Sequence, residues 1–115
     1  VSILRKYCGE KGPMPVSLDN PLWHRTAWWF DWPEFEKEKG RKPHSLGEYV
    51  KWSQARQAEA LSIAANSAKS RFPKCGGFIV WMGHDSFPCT VNTSIIDFEG
   101  GLKPAAKALK KIFAV

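Results

Sequence analysis

The chain has 115 residues, which is enough for one domain and too short for two. Hydrophobic residues make up 43% and charged residues 24%, the balance of an ordinary globular protein. No apolar run approaches the roughly 18–20 residues that span a bilayer, so no transmembrane segment is predicted. The chain begins Val1-Ser2 without an initiator Met or a signal core, and we therefore expect a segment of a longer polypeptide.

The net charge is +6 and the sequence pI is near 9.4. The basic residues are scattered, and the cluster Lys107, Lys110 and Lys111 has the spacing of one solvated helix face. Because no phosphate-cradling or base-reading motif accompanies the charge, we predict no nucleic-acid partner and no membrane partner. The three cysteines lack the paired spacing of a zinc site or a disulfide framework, so neither is predicted.

The elements predicted in chain order begin with a short helix at residues 2–7. Pro and Gly are so frequent over residues 8–44 that a loop is expected there, with at most a turn of helix near Pro33. A capping box at Ser45 opens a long amphipathic helix over residues 45–72. The apolar run 76–82 has the pattern of a strand buried on both faces, and residues 103–114 form a last helix. Helix, strand and helix in this order are typical of an α/β fold.

Tryptophan is the compositional outlier, with six in 115 residues. Four fall within ten positions, at Trp23, Trp28, Trp29 and Trp32. A tryptophan cluster of this kind is usually covered by a ligand, an interface or a neighbouring domain. The loop that contains these residues is therefore a candidate binding surface, with packing against another domain as the alternative.

A string of short motifs covers residues 76–105. Its members are Trp81, Asp85 and Pro88, then Ile96-Asp97-Phe98, Gly100 and Lys103-Pro104-Ala105. The string resembles the eighth strand and the following loop of the β-mannosidase-like branch of glycoside hydrolase family 2. Upstream, Leu4-Arg5-Lys6-Tyr7, Asp19-Asn20-Pro21 and Trp28-Trp29 are similar to the loop after the seventh strand of that family. Three positions differ, with Met82, His84 and Phe87 where the family usually has Gln, Asn and Trp.

The resemblance implies that residues 1–115 are the last βα units of a (β/α)8 TIM barrel, the carboxy-terminal part of a glycosidase catalytic domain. It also implies a retaining β-glycosidase, β-mannosidase- or β-galactosidase-like, which cleaves terminal β-linked sugars with two carboxylates about 5 Å apart and without a cofactor. In the family both catalytic residues are glutamates at the ends of the fourth and seventh strands. Neither strand lies in this chain, so no catalytic residue is assigned and the chain alone is expected to be inactive.

Five residues are the substrate-binding candidates. Trp81 matches the tryptophan that forms the floor of the family's sugar subsite, with a core position as the alternative. Asp85 is expected either to bind sugar hydroxyls or to brace neighbouring loops, and His84 beside it to bind substrate or to be hydrogen-bonded structure. Trp28 and Trp29 are expected to stack on sugars at the cleft rim or to pack on a neighbouring domain.

Two other classes of function are weighed beside the enzyme. A carbohydrate-binding module without catalysis would explain the tryptophans, although such modules are mostly β-sandwiches. A basic interaction domain is supported by the pI alone. The expected partners are a carbohydrate and the remainder of the glycosidase chain, and the unpaired strand predicts self-association. A bacterial periplasmic or exported location is the working expectation.

Overall fold

The computed structural model describes residues 1–114, and helices account for about half of the chain. The helices lie in the order α1 Ser2–Cys8, α2 Pro21–His24, a 3₁₀ turn Ala27–Trp29, α3 Trp32–Lys39, α4 Leu46–Ser70 and α5 Pro104–Phe113. In the described residues β-type pairing is limited to two isolated bridges, His84 with Ile96 and Ile96 with Leu102. None of these helices is both long enough and apolar enough to cross a membrane.

Helix α4 begins where its capping residues place it. The Ser45 hydroxyl accepts a hydrogen bond from the Glu48 N–H at 3.1 Å, which satisfies one of the free donors of the first turn. The Glu48 carboxylate accepts from the backbone N–H of His44 at 2.8 Å and from Arg41. Hydrogen bonds from Arg41 and then from His44 lower the pKa of Glu48 to about 2.

The stretch predicted as a loop over residues 8–44 contains two short helices and a 3₁₀ turn. Pro21 and Pro33 stand in the first turns of α2 and α3, where a missing N–H leaves no hydrogen bond unmade. The Asn20 side chain accepts from the Leu22 N–H and caps α2, while Gly40 ends α3 with a φ of 68°. The loop prediction is therefore corrected at α2 and the 3₁₀ turn, and the turn of helix expected near Pro33 is the eight-residue helix α3.

An aromatic cluster forms the main core and joins this stretch to the start of α4. Its buried members are Leu4, Val16, Trp23, Phe30, Phe35, Leu46 and Tyr49. The Trp23 ring stacks on Phe30 with centroids 4.8 Å apart, and Tyr49 meets both rings edge-on. The carboxyl half of α4 packs against α5 and forms a second, smaller core. Its buried residues are Ala65, Ala105, Ala106 and Leu109.

No strand forms over residues 76–82, and the predicted buried strand is corrected to an unpaired segment. Ile79 is 94% exposed and Trp81 is 75% exposed. A strand of this composition needs a neighbour on each edge to satisfy its backbone, and the described residues supply none. The α/β class is accordingly not seen: residues 1–114 are helical with isolated bridges.

The chain is more extended than a compact domain of its length. Its Cα radius of gyration is 15.5 Å, whereas about 13 Å is typical of a compact domain of about 100 residues. Large apolar side chains consequently remain uncovered at Phe72, Ile79, Trp81 and Phe113. A surface of this kind is unusual for an isolated domain and typical of one that meets another surface.

Candidate functional site

A cleft with a volume of about 560 Å³ lies between α4, the 3₁₀ turn and the segment 88–93. The 3₁₀ turn contributes Trp28 and Trp29, and α4 contributes polar side chains that include Gln54 and Gln57. Asn92 contributes a further amide from the third wall. Two large aromatic faces beside neutral amides form a surface suited to a ligand with both apolar and hydroxyl-bearing faces.

The two tryptophans lie at the cleft because their neighbours in the chain are anchored in the core. Trp23 is fully buried, and its indole N–H donates to the Pro13 carbonyl at 2.9 Å. Phe30 is also buried, on the other side of the 3₁₀ turn. The turn between these anchors leaves Trp28 79% exposed and Trp29 49% exposed. Their exposure therefore follows from local geometry that is fixed on both sides.

The segment 88–93 is held in place by hydrogen bonds from two directions. The Thr90 hydroxyl donates to the Leu22 carbonyl at 3.0 Å, which ties this wall to α2. The Gln57 amide donates to the Thr93 carbonyl at 2.8 Å and to the Ser94 carbonyl at 3.1 Å, which ties it to α4. The third wall of the cleft is thus fixed to α4 and to α2, the helix that precedes the 3₁₀ turn.

Asp85 lies at the cleft within a buried polar cluster. One carboxylate oxygen is 2.9 Å from the Lys103 Nζ, and the other accepts from Asn92 at 2.9 Å and from the Ser94 hydroxyl. Lys103 also donates to the Ser94 hydroxyl oxygen at 2.6 Å, so the groups form a closed network. Because its partners belong to this network, Asp85 braces the 84–94 segment against the start of α5.

The electrostatics of this cluster keep Asp85 ionised. Burial on its own would raise the pKa of Asp85, but hydrogen bonds from Ser94 and Lys103 and the charge of Lys103 outweigh it and hold the pKa below its usual value. Burial and the neighbouring Asp85 raise the pKa of the Cys89 thiol to about 11. Cys89 is therefore a neutral thiol at physiological pH, which makes it a poor nucleophile.

This ionised carboxylate makes the stability of the fold depend on pH. The folded-state pKa of Asp85 lies below the value of about 3.9 expected in an unfolded chain. Its contribution is therefore present at pH above about 4 and is lost as the pH falls through the folded-state value. Melting temperatures measured between pH 7 and pH 2.5 should fall less steeply with acid in Asp85→Asn than in the unaltered chain. The exposed carboxylate of Asp19 supplies the control Asp19→Asn. If the melting temperature fell equally with acid in all three proteins, the assignment would be contradicted.

The structure brings together three of the five candidate residues. Trp28, Trp29 and Asp85 line the cleft. Trp81 and His84 are exposed and do not line it. The Trp81 carbonyl accepts a hydrogen bond from the Thr93 hydroxyl at 3.3 Å, while His84 forms the bridge with Ile96. Neither residue therefore joins the tryptophan pair in the cleft lining, although the Thr93 hydrogen bond places the Trp81 backbone next to the third wall.

Sequence reasoning missed three residues that shape the site. Lys103, Ser94 and Gln57 hold Asp85 and the 84–94 segment in place. Lys103 belongs to the Lys103-Pro104-Ala105 motif and carried a signal, since a Lys just before a helix is well placed to turn toward the neighbouring loop. Ser94 and Gln57 carried none, because their partners are distant in sequence.

Among residues 1–114, no group of three or more His, Cys, Asp or Glu side chains is arranged to hold a metal ion. No family model, no curated protein and no solved structure matches the chain. The site's chemistry accordingly rests on the cleft itself: exposed aromatic faces, neutral amides and a braced, ionised Asp85.

Proposed function

We propose that the chain is the carboxy-terminal part of the catalytic domain of a retaining β-glycosidase, and that its cleft holds part of a β-linked sugar. The observation that carries the proposal is the pair Trp28 and Trp29 exposed on the cleft beside neutral amide side chains. An indole face packs against the apolar C–H face of a pyranose, while amides pair with its hydroxyls. The resemblance of residues 76–105 to glycoside hydrolase family 2 supports the same conclusion.

In such an enzyme this chain would help to bind the sugar and would not supply the groups that cleave the glycosidic bond. A retaining mechanism needs one carboxylate as nucleophile and a second as acid and base, on opposite sides of the glycosidic bond. The family's two glutamates correspond to no position of this sequence. Asp85 is paired with Lys103 and ionised, so it has no proton to donate to a leaving group. The chain alone is therefore expected not to hydrolyse glycosides.

The uncovered apolar surface fits this proposal. Residues 76–82 would be the eighth barrel strand, which takes its neighbours from the first and seventh strands of the same barrel. Without those strands the segment has no pairing partner and its side chains stay exposed, as Ile79 does. Hydrolysis is tested with the protein encoded by the reading frame that contains these residues, on aryl β-mannoside, β-galactoside and β-glucuronide. Turnover by the longer protein but not by the 115-residue chain supports the proposal, and inert behaviour on all three sugars contradicts it.

A carbohydrate-binding module is the second candidate, and the exposed tryptophan pair also favours it. The helical architecture argues against it, since such modules are mostly β-sandwiches. The two candidates differ in the longer protein: an enzyme turns over aryl glycosides, whereas a module binds sugar and leaves it intact.

Sugar binding by the 115-residue chain tests the cleft directly. We expect Trp28→Ala to weaken binding of a β-linked disaccharide about fivefold, because it removes an aromatic face worth roughly 1 kcal/mol. Ligand-observed NMR titration measures the affinity. Trp81→Ala is the matched control, since Trp81 is 75% exposed against 79% for Trp28 but lies outside the cleft. Equal losses in the two variants, or a loss confined to Trp81→Ala, would place the sugar elsewhere.

A further inference from the structure

One end of the molecule carries basic side chains without acidic ones. No Asp or Glu occurs over residues 60–84 or over residues 104–114, whereas each stretch contains three Lys or Arg residues. We call the exposed cations of these two stretches the basic end. They are Lys69, Arg71, Lys74, Lys107, Lys110 and Lys111. Their summed charge equals the net charge of +6 of the whole chain.

The packing of α4 against α5 brings the two stretches together. Both helices end on the same side of the molecule, because the Lys69 Nζ in the last turn of α4 donates to the Ile112 carbonyl near the end of α5 at 2.6 Å. Lys110 and Lys111 stand in the last turn of α5, and Arg71 directly follows α4. The six cations therefore lie on two adjoining elements that end side by side.

The charge of the basic end is not neutralised within the molecule. The ion pairs formed among residues 1–114 involve none of its six cations. Lys69 donates to a terminal carbonyl of α5, and the carboxyl end of each helix carries about half a negative charge. The two helix ends together thus offset roughly one of the six positive charges. The other positive charges face solvent.

Two exposed aromatic side chains accompany these cations. Phe72 is 75% exposed just beyond α4, and Phe113 is 46% exposed at the end of α5. The apolar face of α5 is turned inward, because Ala105, Ala106 and Leu109 are buried where the helix packs on α4. A helix that binds a membrane surface lays such an apolar face into the lipid, and α5 has already used its own. The basic end therefore favours a protein partner over a lipid surface.

We infer that the basic end docks an acidic segment of another protein, one that has apolar side chains among its carboxylates. Charge complementarity carries the inference, since a group of exposed cations without acids attracts carboxylates and repels a surface of its own sign. A second copy of this chain would bring the same cations against one another, so this face does not serve self-association. The inference is independent of the sugar cleft, because none of the six cations lines it.

Two labelled peptides test the inference on the 115-residue chain. A fluorescein-labelled peptide of repeating Glu-Glu-Leu triplets offers carboxylates and apolar side chains, and repeating Gln-Gln-Leu is its uncharged counterpart. Fluorescence anisotropy at low ionic strength should show the acidic peptide binding about tenfold more tightly. Equal affinities would overturn the inference.

Competition experiments distinguish the acidic protein from other anionic partners. An unlabelled copy of the acidic peptide should displace the labelled one at a lower concentration of charge than phosphatidylserine vesicles or a single-stranded oligonucleotide do. Stronger displacement by either of these would overturn the inference in favour of a lipid or a nucleic acid. Peptide binding that is lost in the longer protein of the same reading frame would also overturn it, because the rest of that protein would then cover the basic end.

Charge variants test the location of the docking surface. Lys110→Gln combined with Lys111→Gln removes two cations from the basic end and should weaken the acidic peptide about fivefold. Lys37→Gln combined with Lys51→Gln removes the same charge from exposed positions on α3 and in the amino half of α4, and should leave the affinity nearly unchanged. Equal losses in the two double variants would show that net charge attracts the peptide, and would overturn the basic end as its site. Circular dichroism should give both variants the melting temperature of the unaltered chain, because all four side chains are exposed.

Discussion

Replacing Lys103 by Met is expected to lower the free energy of unfolding by about 3–5 kcal/mol, because it leaves a buried carboxylate without its partner. Asp85 and Lys103 have side chains only 8% and 12% exposed, and Ser94 between them is fully buried. Without the ammonium group, Asp85 must either remain charged in a poorly solvated position or take up a proton. Both outcomes release the 84–94 segment from the start of α5. Urea unfolding followed by circular dichroism measures the change.

A surface ion pair provides the control for Lys103→Met. Lys6 pairs with Glu99 across a large sequence separation, but both side chains are well exposed. Lys6→Met removes the same functional group and should leave the unfolding midpoint nearly unchanged, because water screens exposed pairs. Equal shifts in the two variants would show that the Asp85 cluster adds nothing beyond surface electrostatics.

Trp23→Ala is expected to destabilise the chain by about 3–5 kcal/mol, which is enough to unfold a small domain. The substitution empties the middle of the aromatic cluster, where Trp23 stacks on Phe30 and meets Tyr49 edge-on. It also leaves the Pro13 carbonyl without its indole donor. The transition from folded to unfolded protein, followed by circular dichroism in urea, gives the loss.

Trp28 supplies the matched control because it differs from Trp23 chiefly in burial. Trp23 is fully buried and Trp28 is 79% exposed, only five positions apart. Trp28→Ala should change the unfolding midpoint little while it weakens sugar binding. A large loss of stability in Trp28→Ala would mean that this tryptophan packs in the fold, and its role at the cleft would be contradicted.

The helices could be predicted where the deciding interactions are local. Ser45 and Glu48 lie three residues apart and mark the start of α4, and Pro104 marks the first turn of α5. The density of Pro and Gly hides α2 altogether and indicates only a single turn of helix near Pro33, where the structure has the eight residues of α3. Pro21 and Pro33 each stand in the first turn, where Pro is tolerated, and attention to position would have found both helices.

The segment 76–82 shows what the amino-acid pattern does not determine. Its apolar run indicates a preference for pairing and burial, but pairing also requires a partner strand. A strand's partners are distant in sequence, and none is present in residues 1–114. The pattern therefore indicates that these residues favour a buried, paired strand, whereas in the structure the segment is unpaired and exposed.

The site was predictable by composition more than by geometry. Clustered tryptophan singles out Trp28 and Trp29 as candidates and the motif singles out Asp85, and the structure places all three on one cleft. Trp81 was assigned to the same site on the resemblance alone, and the structure of this chain places it elsewhere. Asp85 pairs with Lys103, eighteen residues further along the chain, and no periodicity in the sequence predicts this contact.

Helix α4 serves two clusters at once, and this arrangement couples their folding. Its amino end supplies Leu46 and Tyr49 to the aromatic cluster, while its carboxyl end buries Ala65 and packs on α5. A helix in isolation is marginal in water, so each cluster is needed to hold its own end of α4 in helical form. When one end frays, the other loses part of its support. The two halves of the chain are thereby expected to unfold as one cooperative unit, and the contacts of Thr90 with Leu22 and of Lys6 with Glu99 join them further.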